Sequence, residues 1–133
     1  MRGDEPRLPD FLGHVLEAIT RIERYTQGMD ETGFAGNPLV QDAVIRNFEV
    51  LGEASRNIDR NDQAFSKAHP ELSLGQAYRL RNAVIHGYFL VDLAILWKTI
   101  QIDLPTMKGH VEAAIADLDA PEATGPDRIA PKV

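Results

Sequence analysis

The stretch NPLVQDAVIRNFEVLGEASRNI, residues 37–58, carries the clearest helical pattern in the chain. It opens with Asn37 and Pro38, which favour a helix start because an Asn side chain caps free amides and Pro at the first helical position loses no hydrogen bond. Its apolar residues recur every three or four positions, and they are Val40, Ala43, Val44, Phe48, Leu51, Ala54 and Ile58. This spacing predicts an amphipathic helix that ends near Ile58 and packs one face against a core.

Apolar residues at the same spacing predict further helices on both sides of this stretch. The first covers residues 10–28, a short one covers 62–69, and a long one covers 73–87. Asp92 is placed to cap another helix, and Pro105 either breaks that helix or starts a further one. No alternating pattern of useful length predicts a strand. The expected fold is therefore an all-α bundle of four or five helices with short connections.

Three segments lack this periodicity and are expected to lie outside helices. The glycine-rich segment QGMDETGFAGN, residues 27–37, is predicted to be a loop, and DRND, residues 59–62, is predicted to be a turn. Residues 119–133 contain three prolines and few apolar anchors, which indicates a flexible tail. The predicted organisation is one helical domain over residues 1–118 followed by that tail.

The composition limits the classes of function that the chain can have. Its 133 residues suffice for one domain with a sizeable core, and the absence of Cys excludes disulfides, thiolate metal sites and thiol nucleophiles. The N-terminus is polar and acidic, and no apolar run approaches a membrane span, so we expect a soluble cytoplasmic protein without membrane contact. The net charge of −6 opposes a general affinity for nucleic acid.

One region departs from this acidic average. No Asp or Glu occurs over residues 72–91, and RNAVIHGYF occupies residues 81–89 within that region. On a straight helix the side chains of Arg81 and His86 point about 140° apart, because each residue turns the helix by about 100°. Gly87 is typical of a helix C-terminus, and a bend or a helix end there would allow the two side chains to approach one site.

Arg81, His86 and Tyr88 together suit chemistry on a phosphodiester. An arginine fork matches two phosphate oxygens, and a histidine that titrates near neutrality can move protons on or off a ribose or leaving oxygen. The attacking 2′-hydroxyl would come from the RNA itself, so neither a metal nor a protein nucleophile is needed. The alternative is an ordinary helix end, in which His86 caps carbonyls, Arg81 pairs with an acid of the second helix and Tyr88 packs at the edge of the bundle.

The segment RNAVIHGY, residues 81–88, matches the R-x4-H-x-Y motif of the HepT-like branch of the HEPN superfamily. VQDAVIRNFEVLGEA, residues 40–54, resembles the second-helix signature of that family, and FLVDLAILWKTIQIDLP, residues 89–105, resembles its segment after the motif. The similarity extends over about residues 8–118. An isolated R-x4-H is a weak signal, whereas the motif with both flanking segments is specific.

The resemblance implies an up-and-down helical bundle of the HEPN type that forms a homodimer, with the active cleft between the motif-bearing helices of the two copies. It implies a metal-independent ribonuclease toxin without a cofactor, in which Arg81 and His86 are the catalytic pair and Asn82 binds or orients phosphate. The implied partner is a nucleotidyltransferase antitoxin of the minimal (MNT) type, in a complex that can be larger than a dimer. Such an antitoxin attaches AMP to the motif tyrosine, here Tyr88, which blocks the RNA phosphate by charge and bulk.

Other polar residues have two interpretations each. Glu53 lies in an apolar part of the second helix and either pairs with Arg81, as a residue that orients the substrate-binding fork, or faces solvent. Arg46 and Arg79 are further candidates for phosphate contacts, with surface charge as the default interpretation. The remaining histidines show no partner pattern and are expected to be ordinary surface residues: His14, His69 and His110.

The competing hypothesis for the whole chain is a non-catalytic interaction module. In that case the helical dimer binds a nucleotidyltransferase partner or nucleotides without cleaving RNA. The acidic net charge favours this hypothesis, and the complete R-x4-H-x-Y motif opposes it.

Overall fold

The computed structural model describes residues 7–86 and 92–119. Within these residues the chain is helical and contains no strand, which confirms the predicted all-α class. A 3₁₀ turn at Pro70–Leu72 precedes the fifth helix, and a π-helical turn at Thr99–Asp103 joins the sixth to the seventh. The α-helices are α1 Leu8–Thr26, α2 Glu31–Ala35, α3 Pro38–Asn61, α4 Gln63–Ala68, α5 Leu74–His86, α6 Leu93–Lys98 and α7 Leu104–Asp119.

The long helix α3 begins where the sequence predicts. The Asn37 side chain accepts a hydrogen bond from the Val40 amide at 3.1 Å, as a helix N-cap does. The helix ends later than predicted, because Asp59–Asn61 continue it and only Asp62 separates it from α4. The prediction of a turn over DRND is therefore wrong. Exposed polar residues extend the helix, and the Asp62 amide still donates to the Ile58 carbonyl at 2.8 Å.

The helices α1 and α5 confirm two predicted helices with small shifts at their ends. α1 starts and ends two residues before the predicted range 10–28, and α5 lies within the predicted range 73–87. α3 packs against both α1 and α5, and α1 also packs against α7. The core contains these buried apolar side chains: Leu12, Val15, Ile19, Ile22, Val44, Phe48, Leu51, Ile58, Leu72, Val84, Leu96, Ile100, Leu104 and Val111.

The helix α2 lies inside the segment that the sequence predicts as a loop, and that prediction is wrong over Glu31–Ala35. The Asp30 side chain caps this single turn by accepting from the Gly33 amide at 2.8 Å. Phe34 is fully buried, and its ring lies 5.4 Å from that of Trp97. A helix of five residues is too short to show periodicity and depends on such tertiary packing, so pattern reasoning misses it.

Around Pro105 the structure combines the two predicted alternatives. Pro105 is the second residue of α7, yet the helical backbone enters α7 from α6 through the π-helical turn at Thr99–Asp103. A proline lacks the amide that donates to the fourth residue before it and its ring crowds that carbonyl. The wider π turn just before Pro105 accommodates both effects, so the chain continues without a break.

Among the described residues, no helix has the length and apolar character that a membrane crossing requires. The predicted tail over residues 119–133 lies outside the described residues, except for Asp119, which is the last residue of α7.

Candidate active site

Close packing of α3 against α5 determines the position of Arg81. Gly52 of α3 is buried, and a Cβ built on it would lie 2.6 Å from Cγ of Arg81 and closer still to the Arg81 Cβ. The same Cβ would lie 3.2 Å from the Ala77 carbonyl oxygen. Only a residue without a side chain fits between the two helices here, so the aliphatic stem of Arg81 lies directly over the backbone of α3.

The guanidinium of Arg81 has a polar neighbour on each of two helices. Its Nη1 donates to Oδ1 of Asn82 at 2.8 Å, and its Nη2 lies 3.6 Å from Oε1 of Glu53. The second distance is that of an ion pair rather than a hydrogen bond. Its Cζ also lies 5.8 Å from the ring centroid of Tyr78, one helical turn earlier on α5. Arg81, Asn82 and Glu53 are thus brought together, and Glu53 both pairs with Arg81 and is half exposed.

The Arg81 fork has more donors than partners. An arginine carries five N–H donors, and only the bond to Asn82 satisfies one of them within the described residues. Nε is buried and has no hydrogen-bond partner there. The side chain is 23% exposed, so the guanidinium is partly removed from water while donors remain available. Such a group binds an anion strongly, because a charge-assisted hydrogen bond gains strength where solvent is reduced.

The other motif residues are described less fully. His86 belongs to α5 through its backbone, and its side chain lies outside what the structure describes. Gly87 and Tyr88 lie outside the described residues. The convergence of His86 and Tyr88 on Arg81 therefore stays a prediction.

A groove of about 380 Å³ opens beside Arg81 between α1 and α3. Arg46 lies in it, exposed, and pairs with Glu49 at 3.3 Å. His14, expected to be an ordinary surface residue, is exposed but lies in the same groove, with its ring 6.1 Å from that of Phe11. The groove residues are Phe11, His14, Arg46, Glu49, Val50, Glu53, Ala54, Asn57 and Arg81.

Arg79 lies elsewhere, in a larger groove of about 680 Å³ that includes Lys98 of α6 and excludes Arg81. Sequence reasoning treats Arg46 and Arg79 alike, but only Arg46 shares a groove with Arg81. His69 contacts Oε2 of Glu71 at 2.9 Å, and this hydrogen bond lowers the pKa of the Glu71 carboxyl. These contacts place Arg79 and His69 apart from the candidate site.

Sequence reasoning missed Arg56 and Tyr78. The guanidinium carbon of Arg56, on α3, lies 4.9 Å from the centroid of the Tyr78 ring on α5. The same ring is the one near Arg81. No spacing rule connects these residues, since the contact is made between two helices that pack only in the fold.

Within residues 7–86 and 92–119, no group of three or more His, Asp or Glu side chains is arranged to hold a metal ion.

The family model described as "Ribonuclease HepT-like" matches residues 15–114, which include most of α1, all of α3 and α5, and the R-x4-H-x-Y motif. The chain belongs to the ribonuclease HepT-like family. This HepT-like chain is 43% identical over 103 residues to "Probable ribonuclease HepT" of Thermococcus cleftensis, which covers 77% of this chain and 91% of that protein. It is 38% identical over 102 residues to a protein named "Putative RNase" of Methanocaldococcus jannaschii, with the same coverage of 77% and 91%. No solved structure gives a significant match to the HepT-like chain.

Proposed function

We propose that this HepT-like protein is a metal-independent endoribonuclease in which Arg81 and His86 act on the phosphodiester. The observation that carries the proposal is the incomplete hydrogen bonding of Arg81, which is fixed by α3 yet retains donors for an anion. The family and the ribonuclease names of its relatives support RNA as the substrate.

The chemistry uses the substrate's own nucleophile. The 2′-hydroxyl oxygen of the RNA forms a bond to the adjacent phosphorus, and the bond from that phosphorus to the 5′-oxygen of the next nucleotide breaks. The products are a 2′,3′-cyclic phosphate and a free 5′-hydroxyl, so one proton leaves the 2′-hydroxyl and one joins the 5′-oxygen. His86 carries these protons, and Arg81 binds the non-bridging oxygens as their charge grows. Asn82 accepts a hydrogen bond from Nη1 of Arg81 and orients the guanidinium toward those oxygens.

The proposal includes a homodimer as the active form. Arg81 lies on an acidic chain, and two copies of Arg81 and His86 across one cleft concentrate positive charge where RNA binds. Activity per chain should then fall on dilution in step with the dimer fraction, measured by light scattering and by RNA cleavage in the same samples.

The proposal also includes regulation by a partner. We infer a toxin–antitoxin pair with a nucleotidyltransferase of the MNT type that transfers AMP to Tyr88, in a complex that can be larger than the dimer. A phosphate-bearing group at Tyr88 would repel the RNA phosphate from Arg81. Intact mass of the chain after incubation with such a partner and ATP should rise by one or more AMP groups in the wild type and stay constant in Tyr88→Phe.

The activity itself is tested with the chain expressed alone. Purified wild-type protein should cleave RNA in the presence of EDTA and arrest growth when induced, whereas Arg81→Ala and His86→Ala should do neither. Equal cleavage by wild type and both variants would show that the site is wrong. Absence of cleavage by the unmodified wild-type dimer, together with tight binding of the nucleotidyltransferase, would establish the non-catalytic interaction module instead.

A further inference from the structure

A second arginine lies beside Arg81 on the neighbouring helix. The guanidinium carbon of Arg56 lies 4.9 Å from the Tyr78 ring centroid, and that of Arg81 lies 5.8 Å from it. Both distances are within the range of a cation–π contact. Arg56 comes from α3, while Tyr78 and Arg81 lie one turn apart on α5. One aromatic ring thus lies within cation–π distance of two cations from two helices.

Arg56 differs in its partners from Arg21 and Arg46, two other arginines of the helical surface. Arg21 pairs with Glu17 at 2.8 Å, and Arg46 pairs with Glu49 at 3.3 Å. Over residues 7–86 and 92–119, no carboxylate forms an ion pair with Arg56. Among the described residues, the Tyr78 ring is the group recorded against its charge.

A guanidinium that stacks on an aromatic ring keeps its N–H edge free for a ligand. A cation–π contact uses the flat face of the group, whereas the N–H donors point outward from its edge. Arginine binds phosphate through that edge. A guanidinium held by its face is ordered in advance, so binding an anion costs less side-chain entropy.

We propose that Arg56 binds the phosphate next to the one held by Arg81, so that the two arginines contact consecutive phosphates of one RNA strand. The two guanidinium carbons can be no farther apart than the sum of their distances to the Tyr78 ring, a separation on the scale of neighbouring phosphates in a nucleic acid strand. Tyr78 sets that separation. The inference rests on the proposed ribonuclease function and names the part of the RNA that this site recognises.

Arg56 and Arg81 together also explain how an acidic chain can bind a polyanion. With a net charge of −6, the chain has no general attraction for RNA, so affinity must come from a local group of cations. Arg81 alone is partly offset by Glu53. Arg56 adds a charge that no described carboxylate offsets.

The test measures RNA affinity against salt concentration with the full-length wild-type protein and single variants. The probe is a single-stranded oligoribonucleotide with 2′-O-methyl groups, which lacks the attacking hydroxyl and so separates binding from cleavage. Arg56→Gln should weaken binding about tenfold at low salt and reduce the slope of log affinity against log salt by about 0.7, the value for one lost phosphate contact on a single strand. Arg21→Gln makes the same charge change in the exposed pair on α1 and should leave affinity and slope unchanged.

Cleavage of unmodified RNA provides the second readout. Arg56→Gln should raise KM with little change in kcat, because it removes binding that is equal in the ground state and the transition state. Tyr78→Leu removes the ring that both arginines contact and should raise KM as Arg56→Gln does, with thermal melts confirming that the variant is folded.

Failure of the inference is distinct from failure of the proposed function. If wild type cleaves RNA but Arg56→Gln and Arg21→Gln have the same affinity and salt slope, the second phosphate contact is wrong and the ribonuclease assignment stands. If Arg56→Gln lowers the affinity and the salt slope relative to wild type, but wild type does not cleave RNA, the contact of Arg81 and Arg56 with two phosphates stands and the ribonuclease assignment is wrong. If wild type does not bind the oligonucleotide, the inference is overturned.

Discussion

Within residues 7–86 and 92–119, two cation–carboxylate pairs join one helix to another, and the two differ in geometry. Lys108 of α7 donates to Oε1 of Glu23 on α1 at 2.7 Å, with side chains 29% and 35% exposed. Arg81 of α5 lies 3.6 Å from Oε1 of Glu53 on α3, with side chains 23% and 49% exposed. Burial of the cation is similar, but only the Lys108 pair is a hydrogen bond.

In the Lys108 pair the ammonium donates a hydrogen bond to the carboxylate. The Arg81 pair is open, because no hydrogen bond joins its guanidinium to Glu53. The hydrogen bond that Lys108 donates to Glu23 raises the pKa of Lys108, as expected for a cation whose partner favours its charged form. Arg81 is placed by sterics instead, since its stem lies over Gly52 and its fork has few partners. The two pairs thus differ in that Lys108 donates directly to its carboxylate, whereas Nε of Arg81 has no partner among the described residues.

Replacing Arg81 by Lys should give the largest effect, because charge is kept while the fork is lost. We expect kcat for RNA cleavage to fall by about 100-fold or more, the effect of removing a preorganised donor to a developing oxyanion. Thermal stability should change little. Lys108→Arg is the matched control and should cleave at the wild-type rate. Near-equal rates for Arg81→Lys and wild type would mean that Arg81 does not bind phosphate through its fork.

Gly52→Ala should have the second-largest effect on cleavage, because it moves Arg81 without changing any charged group. The added Cβ overlaps the stem of Arg81. Overpacking costs about 1–3 kcal/mol and exceeds the gain of about 1 kcal/mol that Ala brings to a helix. We expect a lower melting temperature and about tenfold slower cleavage, as a small displacement of a catalytic group produces. Gly13→Ala on α1 has no neighbour within 4 Å and should be stable and active.

The sequence predicts the helices of this site better than its contacts. Asn37 and Asp92 signal helix starts through side-chain caps, and both caps are present in the structure. Periodicity locates α3 and α5, but it does not reveal that Gly52 lies under Arg81 or that Arg56 lies over Tyr78. Those contacts depend on how two helices approach, which is decided by packing across the whole core.

The segments that the sequence mispredicts have a common cause. The single turn of α2 is stabilised by burial of Phe34, and the last turn of α3 continues through exposed polar residues. Neither feature produces an apolar repeat. At Pro105, the sequence pattern leaves a helix break open, whereas the wider π turn at Thr99–Asp103 allows the helical backbone to continue.

Glu53→Ala should have an intermediate effect by releasing one side of the Arg81 fork. The ion pair is half exposed, so its loss should change the free energy of unfolding by less than about 1 kcal/mol. RNA affinity should rise slightly as an acidic group is removed, while kcat falls several-fold because the fork is less well oriented. Steady-state kinetics separate the two effects. A parallel loss of affinity would mean that Glu53 contacts the RNA directly rather than orienting Arg81.

Lys108→Met should have the smallest effect, limited to stability. The partly buried pair with Glu23 contributes about 1 kcal/mol or less. Since the folded-state pKa of Lys108 is raised above its ordinary 10.5, this contribution is present below pH 10.5 and is lost as pH rises through the folded-state pKa. Denaturation curves of wild type and Lys108→Met should differ at pH 7 and converge at higher pH. A constant difference across that range would contradict the ion-pair origin.

We propose that the guanidinium of Arg81 binds the phosphodiester that is cut. The most direct measurement is the cleavage rate of RNA, with EDTA present, by Arg81→Gln and Lys108→Gln, which make the same charge change in the two interhelical pairs. We expect wild-type cleavage by Lys108→Gln and a loss of at least about 100-fold in Arg81→Gln, with both variants folded. Equal cleavage by the two variants would contradict this proposal.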